Sequence, residues 1–477
     1  MNAFRNNSAA RTAKSSVKKL PLGLALTGIL LASTSCSLVP ELGKVSSQVS
    51  SNYPGDTGGD VPADIAWQKF FTDARLRKIV GAALANNRDL RVAALNVEQA
   101  RAQYGISRSD LFPTINLSAG ESRQRIAGTS QNGGRAIESR NYDVSVGLVS
   151  YELDIFGRVR SMNSSALESY FATDAARTGV QIALVAEVAN QYLTERALRE
   201  QIELSQQTLD TFSETYKLTK DRFDAGDVSE LDLRSVEVQV QTAKANLANY
   251  RQQLAQTNNA LVFLTGGGMP SNLPKGRSLE SALVANVRAG VSSDLLRRRP
   301  DIREAEHQLR AANANIGAAR AAFFPSVTLT ASGGTSSGSL TKLFSSGSGV
   351  WAFAPQVNLP IFDGGRNRAN LDSAEISKRT EIARYEKAIQ TAFREVADGL
   401  AARSGLEDRI SANAALVKAQ EKRFELADSR YKEGLDSYFE SLSAQQDLFN
   451  AQQTLIQLRL AREVNSVNLY KALGGGW

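Results

Sequence analysis

Apolar residues recur along this chain with two different periods, and the switches between them lay out the elements. Leu233, Val236, Val240, Ala243, Leu247, Tyr250, Leu254, Leu261 and Leu264 follow 3-4 spacing, with Thr257 in the one gap. Such a heptad seam predicts a long helix packed along one stripe. Val180, Leu184, Val188, Tyr192, Leu198, Ile202, Leu209, Phe212, Tyr216 and Phe223 form a looser stripe of the same kind. Near the C-terminus Leu442, Phe449, Ile456 and Tyr470 recur at multiples of seven, beside Phe439, Leu460 and Val467. Gln446, Gln453 and Glu463 interrupt that seam. One packed stripe with polar breaks fits a wall between neighbouring helices and water. A dimeric coiled coil has the same period.

Elsewhere the period is two. Ile115, Leu117 and Ala119 alternate with Asn116, Ser118 and Gly120, and Tyr142, Val144, Val146 and Leu148 alternate with Asp143, Ser145, Gly147 and Val149. Val327, Leu329 and Ala331 form a third stretch, and Trp351, Phe353, Val357, Leu359 and Ile361 a fourth. One apolar and one small or polar face predicts strands with lipid on one side and water on the other; a soluble sandwich would also alternate. The Gly/Ser/Asn-rich segments Ser122 to Arg140 and Gly333 to Gly349 suit external loops. Four strands cannot close a barrel, and lipid tolerates no unpaired edge. If they lie in a membrane, chains must pool them, and three copies would supply twelve.

Proline is missing between Thr114 and Met269 and after Pro360. Proline breaks helix interiors, so both tracts can hold very long helices. Helices from about Val159 to Phe223 and Leu231 to Leu264 would run roughly 95 Å and 50 Å. The layout occurs twice. Ala102 to Gly120 parallels Ala314 to Ser332, with Phe112-Pro113 and Phe324-Pro325 each marking a helix end before a strand. Ile155-Phe156-Gly157-Arg158 parallels Ile361-Phe362-Asp363-Gly364-Gly365-Arg366. Arg222 to Gly226 parallels Arg430 to Gly434 at a glycine break between two helices, and Leu264-Thr265-Gly266-Gly267 parallels Leu473-Gly474-Gly475. Each half reads short helix, strand, loop, strand, long helix, turn, helix. Two halves in three chains imply a pseudo-sixfold tube.

Composition narrows the function. The formal charge of +7 includes five cations, Arg5, Arg11, Lys14, Lys18 and Lys19, that precede the first apolar run. The remainder carries about +2, no footprint for nucleic acid. One cysteine and one histidine exclude an internal disulfide scaffold and nearly exclude a Cys/His zinc site. No phosphate-binding glycine loop, nucleophile elbow or supported triad is present, so enzymatic activity and cofactors are not expected. His307 sits in a charged helical stretch and reads as structural. Leu20 to Ala32 is a short apolar core followed by Ser33-Thr34-Ser35-Cys36, the layout of an export signal. It resembles a bacterial lipoprotein signal, with Cys36 as the acylated first residue, although Ser33 stands where leucine is usual. Ordinary cleavage at the same bond is the alternative. Ser37 in the following position resembles the signal for sorting to the outer membrane.

With Pro360 to Leu371 (PIFDGGRNRANL), Arg394 to Arg403 (REVADGLAAR), Asp294 to Glu306 and the tail Val467 to Trp477 (VNLYKALGGGW), the sequence resembles the TolC superfamily of outer-membrane factors. Within it, the chain resembles the OprM-like lipoproteins of RND-type efflux pumps. The resemblance implies an α+β membrane protein: a homotrimer with a twelve-stranded β-barrel, four strands per chain, continued by a long periplasmic α-helical coiled-coil barrel. It implies a lipid-anchored channel in the cell outer membrane, coupled through a periplasmic adaptor to an inner-membrane RND transporter. Type I protein secretion or metal-ion efflux is the alternative job. The expected division is a signal peptide at 1–35, a lipidated and equatorial segment at 36–74, a first repeat at 75–269, an equatorial linker at 270–299 and a second repeat at 300–477.

The resemblance also implies a gate at the periplasmic end. Asp232 matches the family's acid after the first turn, and Arg430-Tyr431 the pair before the second. Asp232 paired with Arg430 or Tyr431 across adjacent coiled coils would be a charge-assisted latch, against which stands a solvated helix-end ion pair with no gating role. Glu440 occupies an acidic ring position, and Ser443 departs from the Asp found in relatives. Phe439 matches a bulky constriction, or is simply a seam residue. Arg222, Gly226 and Gly434 mark the turns expected to meet the adaptor.

Overall fold

The computed structural model describes residues 37–43, 50, 53, 61–62, 65–128, 134–288 and 298–475. The export signal at 1–35, the lipidation candidate Cys36, much of the segment around Asp294 and the terminal Gly476-Trp477 lie outside these residues. In chain order the elements are β1 (Val61–Pro62), α1 (Trp67–Phe70), α2 (Ala74–Asn86), α3 (Arg88–Ser109), β2 (Ile115–Ile126), β3 (Ile137–Leu153), α4 (Arg158–Asp224) and α5 (Glu230–Leu264). Then follow β4 (Val287–Arg288), α6 (Pro300–Ala321), β5 (Ser326–Ser337), β6 (Gly349–Asn358), α7 (Arg366–Lys432) and α8 (Tyr438–Ala472). The long helices start and stop where proline and glycine place them. α4 and α7 have 67 residues each, and α5 and α8 have 35 each. No described helix is long and apolar enough to cross a membrane.

The chain forms two compact units. One, containing Leu111–Ser161 and Gly317–Arg368, holds an antiparallel sheet of order β2-β3-β5-β6. β2 pairs with β3 from Ile115 opposite Leu148 to Ile126 opposite Ile137. β3 joins the two repeats by pairing with β5, Leu153 opposite Val327, with a bulge between Leu148 and Tyr151 where Ser150 has φ 54°. The strands run further than the alternating pattern suggested. Ser122 to Ile126, Ile137 to Arg140 and Gly333 to Ser337 are ladder rather than loop. Charged residues such as Arg123, Arg125, Glu138 and Arg140 continue the strands, because backbone pairing does not require an apolar face. Apolar side chains at alternate positions stay bare: Leu117 is 73 %, Trp351 82 % and Val357 66 % exposed. Phe156 stacks on Phe324 at 4.7 Å. Asp154 starts α4 by accepting from the N–H groups of Val159 (3.0 Å) and Arg160 (2.9 Å). Asp363 does the same for α7 through Gly365 and Asn367, both at 2.9 Å.

The other unit contains Pro40–Asp110, Met162–Ile316 and Ala369–Trp477. The seam predicted in α5 is what it buries: Leu233, Val236, Val240, Ala243, Leu247, Thr257 and Leu261. Its largest core gathers Phe70, Phe71, Ile79, Tyr192, Leu193, Leu279, Leu283, Val396 and Tyr470. Phe70 stacks on Tyr470 at 3.9 Å. Two of the three polar breaks in the C-terminal seam have partners. Gln453 donates to the Tyr250 hydroxyl at 2.8 Å. Glu463, 2 % exposed, accepts from the Leu283 N–H at 3.0 Å and pairs with Arg462. Burial pushes its carboxyl above the ordinary range, against the pull of Arg462 and of the Leu283 and Val284 N–H groups. A second hub, Asp73, is 1 % exposed. It caps α2 and takes hydrogen bonds from the Tyr192 hydroxyl (2.9 Å) and the Arg277 N–H (3.1 Å).

Candidate gate at the helix turns

Both long hairpins reverse by the same device. Gly226 has φ 85° and Gly434 φ 75°. In the first, Gly226 N–H reaches the Phe223 carbonyl and Asp227 N–H the Arg222 carbonyl, both at 2.9 Å. In the second, Gly434 N–H reaches Tyr431 (3.0 Å) and Leu435 N–H reaches Arg430 (2.9 Å). These are Schellman closures, which need a left-handed residue after the helix. A Cβ at either glycine would meet nothing within 4 Å, so glycine serves the backbone angle and not space.

The helices leaving the turns begin differently. Ser229 and Asp232 form a capping box: the Ser229 hydroxyl accepts from Asp232 N–H, and the Asp232 carboxylate accepts from Ser229 N–H (both 3.2 Å) and from its hydroxyl (2.7 Å). Ser437 and Glu440 have the same spacing in the second repeat, yet Ser437 makes no side-chain cap. Glu440 is left out of a box and exposed. Arg430 forks onto Asp436, with Nη2 3.0 Å from Oδ1, and this hydrogen bond holds the Asp436 carboxyl below its usual range. The pairing of Asp232 with Arg430 or Tyr431 expected across adjacent coiled coils is not made within the chain, where Asp232 holds Ser229, Arg430 holds Asp436 and Tyr431 meets Arg222.

Close to the turns, a polar link joins the two hairpins of a chain. Arg222 Nη1 donates to the Tyr431 hydroxyl at 3.1 Å, and the guanidinium carbon lies 5.7 Å from that ring centre. Tyr431 also meets Tyr438 edge-on at 5.2 Å, above an apolar cluster of Phe212, Val236, Val240, Ala243, Tyr438 and Leu442. Arg222, read from sequence as a turn residue, is therefore a partner of Tyr431, the tyrosine expected at the gate. Phe439 is 71 % exposed, and Leu231, 208 residues earlier at the same place in the first repeat, is 75 % exposed. Phe439 thus departs from the buried seam. Leu231 went unremarked although the repeat spacing points to it. Asp436 was missed too; a carboxylate six residues after Arg430 across a glycine turn was its only signal. Elsewhere His307 holds Glu168 through Nδ1 at 2.7 Å, a helix-to-helix tie. No group of three or more metal-ligating side chains occurs among the described residues.

Comparison with known proteins gives these features a context. The family model described as outer membrane efflux protein matches residues 79–267 and 291–475. The antibiotic efflux pump outer membrane protein ArpC of Pseudomonas putida is 47 % identical over 464 residues, covering 96 % of this chain and 95 % of that protein. The cation efflux system protein CusC of Escherichia coli is 39 % identical over 456 residues, 94 % of this chain and 97 % of that one. The open-state outer membrane channel MtrE of Neisseria gonorrhoeae superposes with a TM-score of 0.85 at 40 % identity, covering 92 % and 98 % of the two chains.

Proposed function

Since this chain belongs to the outer membrane efflux protein family, we propose that it is the outer-membrane channel of a tripartite efflux pump, a passive duct for cargo delivered from the inner membrane. The observation that carries the reading is the sheet: four strands with β2 and β6 at open edges and apolar side chains bare on alternate positions. Bare edges are intolerable in hydrocarbon, so the sheet closes with others. Three chains give twelve strands, enough for an open lumen.

The partners are two more copies of the chain, outer-membrane lipid, a periplasmic adaptor on the turns around Gly226 and Gly434, and an RND transporter beneath it. Anchoring through acylated Cys36 is supported by the arm that follows. Arg320, six residues before β5, donates to the Leu38 carbonyl at 3.4 Å, and Val39 lies against Gly317. Leu38 and Val39, which follow Cys36 in the sequence, thus lie against residues that lead into β5.

The closed end is held in this reading by Arg222–Tyr431 within each chain, with Phe439, Leu231 and Glu440 exposed beside it. Such half-exposed contacts are individually weak, about 0–1 kcal/mol each, which suits a latch that an adaptor opens. Small organic molecules are the cargo favoured by the 47 % relative named for antibiotic efflux. The 39 % relative named for cation efflux supports metal ions as a second cargo class. The test is export itself. In a strain lacking its own duct, this chain with its adaptor and pump should restore efflux of a fluorescent dye. Dye retention with the protein present in the outer membrane would refute the reading.

A further inference from the structure

The apolar face of the sheet changes character along its length. Alternate residues share a face, and the register aligns them in rows across the strands. Leu153 lies beside Val327 and Val357, Tyr151 beside Leu329 and Pro355, and Leu148 beside Ile115, Ala331 and Phe353. Val146 then joins Leu117, Gly333 and Trp351, and Val144 joins Ala119, Thr335 and Gly349. The next row holds Tyr142 with Glu121 and Ser337. Five steps of about 6.8 Å make roughly 34 Å along the strands, or about 26 Å across a membrane at about 40° tilt. A mainly apolar band of that height, rimmed by an aromatic ring, matches the hydrocarbon layer.

Beyond the rim the same face becomes charged. Arg123 stands directly opposite Arg140, and Arg125 directly opposite Glu138. The other face of this stretch pairs Ser122 with Asn141, Gln124 with Ser139 and Ile126 with Ile137, and carries no charge. A solvated hairpin has no reason to confine its charges to the side that continues the lipid face. Like charges directly opposed also weaken a strand pair. Glu121 offsets Arg123 through an ion pair. Among the described residues neither Arg125 nor Arg140 closes an ion pair, although Glu138 lies across the ladder from Arg125. All of these side chains are exposed. They occupy the end of the sheet away from the helices, since α3 leads into β2 and β3 into α4 at the opposite end.

We propose that Arg125 and Arg140 form a docking site for the phosphate of a lipid headgroup in the outer leaflet. They stand just past the apolar band, at the depth where headgroup phosphates lie. Each guanidinium can fork two N–H groups onto phosphate oxygens. A phosphate set between the strands also turns the repulsion of Arg123 and Arg140 into a shared attraction. Three arginines against two glutamates leave this face one positive charge, so arginine geometry selects the ligand more than bulk charge does. The inference rests on the outer-membrane reading of the sheet and adds the lipid chemistry at its outer rim.

The probe is bisphosphorylated lipid A, added to the purified full-length protein in mild detergent and read by native mass spectrometry. The parent should retain it. Arg125→Gln with Arg140→Gln should weaken retention about tenfold or more. Arg140→Lys, which keeps the charge and loses the fork, should fall between the two. Arg409→Gln with Lys418→Gln, the same loss of charge at exposed positions of α7, should bind like the parent. Lipid A stripped of its phosphates should be held poorly by every form, and millimolar inorganic phosphate should displace nothing. A double arginine variant that binds like the parent, or a parent that holds the dephosphorylated lipid equally well, would overturn the site. Displacement by inorganic phosphate would mark a free-anion site and overturn the lipid assignment. A parent missing from the outer-membrane fraction would overturn the membrane reading itself, whereas the other failures, with the parent in that fraction, would overturn the headgroup site alone.

Discussion

Removing one hydroxyl should measurably loosen the closed end. Arg222 donates to Tyr431 at 3.1 Å and lies 5.7 Å from its ring centre, and both side chains are half-buried. A hydrogen bond from a charged donor is worth roughly 1.5–3 kcal/mol when sequestered, and half-exposure reduces this to about 1 kcal/mol. Tyr431→Phe removes that bond alone. The ring still lies near the guanidinium and against Tyr438. Tyr431→Ala also removes the cation–π contact (about 0.5–1 kcal/mol) and the edge-on pair (about 0.5–1.5 kcal/mol), for about 2–3.5 kcal/mol in all. If the three chains of a trimer open together, Tyr431→Phe raises the open-to-closed ratio by about two orders of magnitude, since 1.4 kcal/mol is tenfold. Single-channel recording in planar bilayers reads the open fraction. The expected order of opening is parent, Tyr431→Phe, Arg222→Ala, Tyr431→Ala, with trimer melting unchanged. Parent-like recordings from both Tyr431→Phe and Arg222→Ala would refute the link, and a Phe variant as open as the Ala variant would refute its division into hydroxyl and ring.

Other expectations follow from packing and burial. Gly226→Ala should cost about 1–2 kcal/mol of backbone strain. Gly266→Ala, at φ 79° with its Cβ 2.4 Å from the Asn86 carbonyl oxygen, should be far more destabilising; equal melting temperatures for the two would contradict the steric argument. Glu463 has its carboxyl raised by burial, so between its ordinary range near 4.5 and its folded value the native state binds more protons than the unfolded chain. Stability should therefore fall as pH rises through that window. Glu463→Gln should flatten the slope of melting temperature against pH, and an unchanged slope would show that another group titrates there. Glu463→Leu should be worse than Gln, because it strands the Leu283 N–H at a cost of about 1–3 kcal/mol.

The element plan was legible because its signals are local. A proline-free tract with a heptad seam and a glycine stop marks α5 to within a residue, and the Phe-Pro pairs mark where α3 and α6 give way to strands. The strand ends were not legible. Beyond Glu121 and Ser332 the alternation fades, and only the partner backbone holds the ladder. The turn glycines were readable for the same local reason. The link between Arg222 and Tyr431 was not, because it joins residues 209 apart through a tertiary packing that neither residue's neighbours encode. Asp232 shows the opposite limit. Its Ser229 partner three residues away was a legible capping box, and the resemblance drew attention to a longer-range role instead.

All of this depends on one requirement: a four-stranded sheet with two bare edges must close with copies of itself. Native mass spectrometry of the protein extracted from outer membranes in mild detergent addresses that directly. The account requires an assembly of three chains that dissociates only on heating or in strong denaturant. A folded single chain recovered from the aqueous fraction, or an assembly of two or four, would contradict it.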